Sequence, residues 1–191
     1  YSGLVQDLMR AMDTPTALGR LYQLDARLRP NGNKGPLASS LAAFERYWKD
    51  GSLADWERLA LTRARFAAGD ASVGERALHL IRSAVFSPLK SGNLPQEVRE
   101  MRKRMEDTTE DGDLKRGKGG LVDIEFLVQY LQLVHGPAYP PLRQTNTKDA
   151  LKALLKFNRS IATLPESQRD MRGKPVHPAG RFWARFEELG K

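Results

Sequence analysis

The chain has 191 residues and carries 31 Lys and Arg against 23 Asp and Glu, a formal charge of +8. Hydrophobic residues make up 40%, enough for a packed core, which argues against wholesale disorder. Cysteine is absent, which removes disulfide frameworks, thiolate zinc sites and cysteine nucleophiles and agrees with a reducing, cytoplasmic compartment.

The length suits one sizeable domain or two small ones. The basic surplus admits nucleic acid, phosphorylated ligands or an acidic partner, and equally a solvated surface with a modest excess of Lys and Arg. The longest apolar run, Leu121–Val134, is interrupted by Asp123, Glu125, Gln129 and Gln132, so no membrane span is expected. The first ten residues carry no secretory signal and no initiator Met, and the chain is expected to begin inside a longer protein.

In chain order, Leu4, Val5, Leu8, Met9 and Met12 predict a first helix over Gly3–Met12, closed by Pro15. Arg20–Pro30 then alternates, with Tyr22, Leu24, Ala26 and Leu28 on one face and Gln23, Asp25, Arg27 and Arg29 on the other. That is the pattern of a half-buried strand. A lone strand cannot satisfy its own backbone, so its sheet partners are expected from residues outside this chain. Asn31–Pro36 reads as a turn able to hold positive φ. Helices follow at Leu41–Trp48, capped by Ser39 or Ser40, and at Leu53–Ala68, opened by Ser52 with Asp55 and stopped by Gly69. Further helices are predicted at Ser72–Phe86, Pro95–Glu106, Gly120–His135 and Thr147–Phe157, the last with Asn146 and Asp149 as a capping box. A final one is predicted at Ala179–Leu189. Loops fall at Ser87–Leu94 and Asp107–Gly119. The class expected is α+β, mostly α: one strand left from a sheet, then a helical bundle.

Four groups bear on chemistry. Asp25, Arg27 and Arg29, two apart on a strand, project the same way. A carboxylate beside two guanidiniums suits a phosphoryl or nucleotidyl site, the alternative being an exposed face with a weak ion pair. The turn Asn31–Pro36, with Lys34, is either an anion cradle or a plain turn, and it matches no known phosphate fingerprint. On the Trp56–Arg65 helix, Arg63 shares the face of Trp56, Leu59 and Ala60, whereas Arg58, Thr62 and Arg65 point away. Arg63 therefore needs a carboxylate or phosphate, or snorkels to the core edge. On the apolar Gly120–His135 helix, Glu125, Gln129 and Gln132 form a polar stripe. Asp123 stands apart in the first turn, and its expected partner is Arg63 or Arg65 unless it only stabilises the helix N-terminus. His79, His135 and His177 show no ligand spacing, and no Walker loop or HExxH is present.

Four blocks in order resemble the glutamine synthetase adenylyltransferase/adenylyl-removing enzyme family: LYQLDARLRPNGNKGPLASSLAAFERY (Leu21–Tyr47), DWERLALTRARFAAGD (Asp55–Asp70), EVREMRKRM (Glu97–Met105) and GGLVDIEFLVQYLQL (Gly119–Leu133). The likeness continues through TNTKDAL (Thr145–Leu151) and covers about four fifths of the chain. In that family each of two homologous halves joins a nucleotidyltransferase-type domain to a helical bundle. One half transfers AMP from ATP to a tyrosine of glutamine synthetase, and the other removes it by phosphorolysis. The blocks look closer to the transferring half.

The resemblance implies residues 1–50 as the end of a catalytic domain, 51–160 as the bundle and 161–191 as a divergent tail. It implies Asp25 as the third metal-binding carboxylate, Arg27, Arg29 and Lys34 near the nucleotide phosphates, and Arg63, Arg65, Asp123 and Glu125 as domain contact or site support. Mg²⁺ is the implied cofactor and ATP the substrate. The implied partners are glutamine synthetase and a PII-type signal protein, with no nucleic acid and no membrane. The family's Gly-Ser-Asp-x-Asp strand, which supplies the other two metal carboxylates, does not occur in these residues. The chain alone is therefore expected to be inactive. A non-catalytic helical module that binds glutamine synthetase or a PII-type protein is the alternative from another class.

Overall fold

The computed structural model describes residues 1–20, 22–49, 53–89, 93–110 and 112–162. It is mostly helical, and the chain divides into two units, Tyr1–Lys90 and Ser91–Lys191. None of the described helices is long and apolar enough to cross a membrane.

The first unit opens with α1 (Ser2–Asp13), whose Leu4 and Leu8 remain exposed. The alternating segment that follows forms no strand among the described residues. The pairing found nearby is an isolated bridge between Thr16 and Gly19. The reason is topological: alternation supplies a face, but a strand also needs a neighbour to receive its backbone groups, and no described segment runs alongside.

Three helices make the body of this unit. In α2 (Leu41–Lys49) the N-terminus is capped by Ser40, whose Oγ accepts from Ala43 N–H at 3.2 Å. In α4 (Ala71–Val85) the cap is Asp70, accepting from Val73 N–H at 3.0 Å. Between them α3 is only Asp55–Leu61, not the Leu53–Ala68 that composition predicts. Its last turn tightens: Thr62 N–H is shared between the Arg58 and Leu59 carbonyls, and Arg63 and Ala64 donate three residues back. The Phe66 ring then lies over Gly74 of α4, where a Cβ would fall 2.3 Å from Phe66 Cδ2. Good helix formers such as Ala64, Ala67 and Ala68 thus lie outside the helix, propensity alone not setting its end. Ser52, the expected cap, lies outside the described residues. Instead Glu57 closes the first turn, its carboxylate accepting from Ala54 N–H at 2.9 Å.

The second unit contains α5 (Leu94–Glu106), α6 (Leu121–His135) and α7 (Thr147–Ala162). Its core joins Val128 and Leu131 of α6 to Leu142, Ala150, Leu154 and Phe157. Gln132, expected on a polar stripe, is buried, and it is not left unsatisfied. Its Nε2 donates to the carbonyls of Leu142 at 2.6 Å and Gln144 at 2.7 Å, fixing the turn before α7. Asn146 caps α7 through Lys148 and Asp149 N–H, whereas the Asp149 side chain turns to Lys152. The predicted helix Ala179–Leu189 lies outside the described residues.

Candidate functional site

Asp25 is exposed and ionised. Both its oxygens accept from Arg27 Nε at 2.9 Å, Oδ2 accepts from Arg27 Nη2 at 2.6 Å, and Oδ1 also accepts from the Arg27 backbone N–H at 3.0 Å. The Arg27 side-chain and backbone donors hold the Asp25 carboxyl down at about 2, and Asp25 in turn raises the Arg27 guanidinium.

Arg29 does not join this pair. Its backbone N–H donates to Arg27 O, two residues back, which bends the chain and breaks the alternation. Its guanidinium then serves the turn: Nη1 donates to Ala26 O, Nε to Gly35 O at 3.3 Å, and Nη2 to Gly35 O at 3.4 Å. The three side chains that an ideal strand would align are thus two together and one apart.

The turn itself is tightly specified. Asn31 (φ 62°) and Gly32 (φ 51°) both take left-handed backbone, and a Cβ on Gly35 would stand 2.1 Å from Pro30 O. The N–H groups of Gly32, Lys34 and Gly35 donate within the turn, so they do not cradle an anion, and Lys34 extends its side chain into solvent. Tyr47 of α2 anchors the turn to α3: its hydroxyl faces Asn31 N–H and donates to Glu57 Oε1 at 3.4 Å. Burial, then the Glu57 charge, push the Tyr47 phenol up, so it remains a neutral donor.

The residues present do not by themselves fit a pair of divalent ions. Asp25 offers one carboxylate already engaged by Arg27, and no group of three or more His, Asp or Glu stands together among the described residues.

The buried cations are not the expected ones. In α3 and the Thr62 that closes it, the inward residues are Asp55, Arg58, Leu59 and Thr62, spaced 0, 3, 4 and 7, whereas Arg63 and Arg65 are exposed. Arg58 is 1% exposed. It meets Asp55 Oδ1 at 2.8 Å and grips the C-terminal end of α4, donating to Val85 O at 2.6 and 3.1 Å, to Pro88 O at 3.2 Å and to Ser87 O. The signal was there in the Asp55-x-x-Arg58 pair at helical spacing.

The partner of Asp123 is Arg102 of α5, not Arg63 or Arg65. Arg102 Nε donates to Asp123 Oδ1, and Nη2 donates to Arg116 O at 2.7 Å and Gly117 O at 2.9 Å. Asp123 Oδ2 accepts from Gly119 N–H at 2.6 Å. Burial raises the Asp123 pKa, but the donors of Arg102 and Gly119 outweigh it and leave the carboxyl below its ordinary value. Glu125, on the next helical position but one, is half-buried.

Two family models match the chain: glutamate-ammonia ligase adenylyltransferase over residues 1–80, and GlnD PII-uridylyltransferase over residues 93–172. The bifunctional glutamine synthetase adenylyltransferase/adenylyl-removing enzyme of Chromobacterium violaceum is 45% identical over 159 residues, covering 81% of this chain. The enzyme of the same name from Caulobacter vibrioides is 47% identical over 158 residues, again 81% of the chain, and that of Bradyrhizobium diazoefficiens 36% over 174 residues, or 90%. The chain belongs to this adenylyltransferase family. It spans 16% to 17% of the length of these relatives. Within this glutamine synthetase adenylyltransferase segment, the Asp25–Arg27 pair and the Arg102–Asp123 joint both fall in blocks that carry the resemblance.

Proposed function

We propose that this chain is part of an enzyme that transfers AMP from ATP to a tyrosine of glutamine synthetase by two-metal chemistry. Asp25 acts as one carboxylate of the magnesium site, and Arg27, Arg29 and Lys34 lie on the phosphate side. Segment Tyr22–Leu28 becomes a strand of the catalytic sheet once residues outside this chain supply its ladder. The observation that supports this most is Asp25 itself: ionised, exposed, and reachable by a cation that displaces Arg27. Arg63, Arg65, Asp123 and Glu125 support the site or its contact with the bundle.

These 191 residues alone, given Mg²⁺, ATP and glutamine synthetase, should transfer no AMP, because one carboxylate cannot position both ions. In a longer enzyme containing this segment, Asp25→Asn should abolish transfer while leaving helical content unchanged. Transfer at the wild-type rate by that variant would end the metal role of Asp25.

A second reading is favoured by the match of residues 93–172 to a PII-uridylyltransferase model. There the helical unit binds glutamine synthetase or a PII-type protein without chemistry, or belongs to the adenylyl-removing half. Pull-down of either partner that is indifferent to Asp25→Ala, with no Mg²⁺-dependent ATP binding, would support it.

A further inference from the structure

Residues Asp113–Gly120 fold into a ring against the start of α6, and the ring uses its backbone groups internally. Asp113 Oδ1 accepts from Lys115 N–H at 2.7 Å and Arg116 N–H at 2.9 Å. Gly117 N–H returns to Asp113 O, Gly120 N–H to Gly117 O, Leu121 N–H to Leu114 O and Val122 N–H to Lys115 O. Arg102 holds the Arg116 and Gly117 carbonyls from below, and Asp123 holds Gly119 N–H. The closure is tight: a Cβ on Gly120 would lie 2.8 Å from the carbonyls of Leu114, Lys115 and Gly117. With six of its eight amides engaged, the ring displays outward the side chains of Leu114, Lys115, Arg116 and Lys118. All four are exposed, Leu114 by 87%. None of the three cations forms an ion pair among the described residues.

A ring that is already ordered loses little backbone freedom on binding. Three cations within four residues, with an apolar side chain beside them, match a compact acidic patch that adjoins a small apolar surface. The neighbouring sequence narrows the class of partner. Asp107, Glu110 and Asp111 precede the ring, so a continuous polyanion such as a nucleic-acid backbone would meet repulsion along the same segment, and the ring offers no aromatic side chain for stacking. A folded protein with a discrete acidic patch avoids both difficulties.

We propose that this ring is a docking surface for an acidic patch on a protein, and that the protein is glutamine synthetase. The choice of partner rests on the functional reading above. Leu114 supplies the apolar contact, and Lys115, Arg116 and Lys118 supply the charge.

The test is equilibrium binding of the full 191-residue chain to Caulobacter vibrioides glutamine synthetase at two salt concentrations. Three chains are compared: wild type, K115E/R116E/K118E, and the control K148E/K152E/K156E on α7, which makes the same charge change. The ring variant should weaken binding at least tenfold and flatten the salt dependence, with the control within twofold. Lys115 and Arg116 face the Asp113 carboxyl and Lys152 pairs with Asp149, so circular dichroism and a cooperative urea transition are recorded for both triple variants, and only folded chains are compared for binding. Equal weakening by both triple variants overturns the proposal, as does tighter binding of random duplex DNA than of the protein. Wild-type binding that the ring variant fully retains sinks the docking surface, as does no wild-type binding at all; the functional reading falls separately, on wild-type transfer by Asp25→Asn in the longer enzyme.

Discussion

Asp25 and Arg27 show how far residue spacing carries. An Asp-x-Arg pair on adjacent same-face positions was legible, and the structure forms it. The third member, Arg29, was not legible, because the spacing argument assumes straight backbone and the chain bends between Arg27 and Arg29. Asp25 should titrate with a midpoint near 2 by carbon-detected NMR, and Arg27→Ala should return it toward the ordinary 3.8. Because the folded value is depressed, the pair's contribution to stability is present above the unfolded carboxylate pKa and is lost as pH falls toward 2. Both side chains are exposed, so salt should screen most of it.

Arg58 is the opposite case. It is enclosed, and truncating it to Met should destabilise the first unit by about 3–5 kcal/mol in urea unfolding, since the buried Asp55 carboxylate loses its ion-pair partner. Swapping both partners often recovers such a loss. Here Asp55→Leu/Arg58→Met should remain destabilised by about 2 kcal/mol, because the Val85, Ser87 and Pro88 carbonyls lose their donor. A double variant as stable as wild type would refute that assignment. Reading the wrong face of α3 came from weighing Trp56 as core. It is 47% exposed, and the small, charged Asp55 faces inward instead.

At the scale of elements, five of the seven described α-helices follow the sequence pattern closely, because caps and breakers are local chemistry, and α7 starts where Asn146 predicts but runs to Ala162, past the expected Phe157. The pattern failed where propensity alone was read: the chain leaves α3 after Leu61 and Phe66 packs over Gly74, and Tyr22–Leu28 has no neighbouring ladder among the described residues. The two glycines at such contacts should behave differently. Gly120→Ala pushes a Cβ onto three carbonyls of a closed ring and should lower stability by about 1–3 kcal/mol, with lost hydrogen-exchange protection at Gly119–Val122. Gly74→Ala meets only the Phe66 ring, which is 42% exposed and can swing aside, while α4 gains about 1 kcal/mol of helix propensity. Its net effect should lie near zero. A Gly74 variant more damaging than the Gly120 variant would reverse this ranking.

For the whole molecule, each unit carries its own buried guanidinium joint, and the contacts cited for each joint stay inside that unit. Residues 93–162 expressed alone should therefore retain helical signal and a single cooperative transition by circular dichroism. A featureless spectrum would mean that something beyond the Arg102, Gln132 and Phe157 contacts holds the unit. Acid should loosen it in a defined direction. The Asp123 carboxyl sits below its ordinary value, so its contribution holds above the unfolded carboxylate range and fades as pH falls beneath about 4, with the Gly119 amide first to exchange.

Arg58, Arg102 and Gln132 share one habit: each fastens onto peptide oxygens more than onto other side chains. A peptide oxygen is the same whichever amino acid supplies it. Over evolutionary time Ser87, Arg116 and Gln144 can therefore drift without disturbing the fastening, while the residue that reaches for them cannot. Methods that infer proximity from paired changes between positions would pass over these joints, although each is buried and fastened at more than one carbonyl.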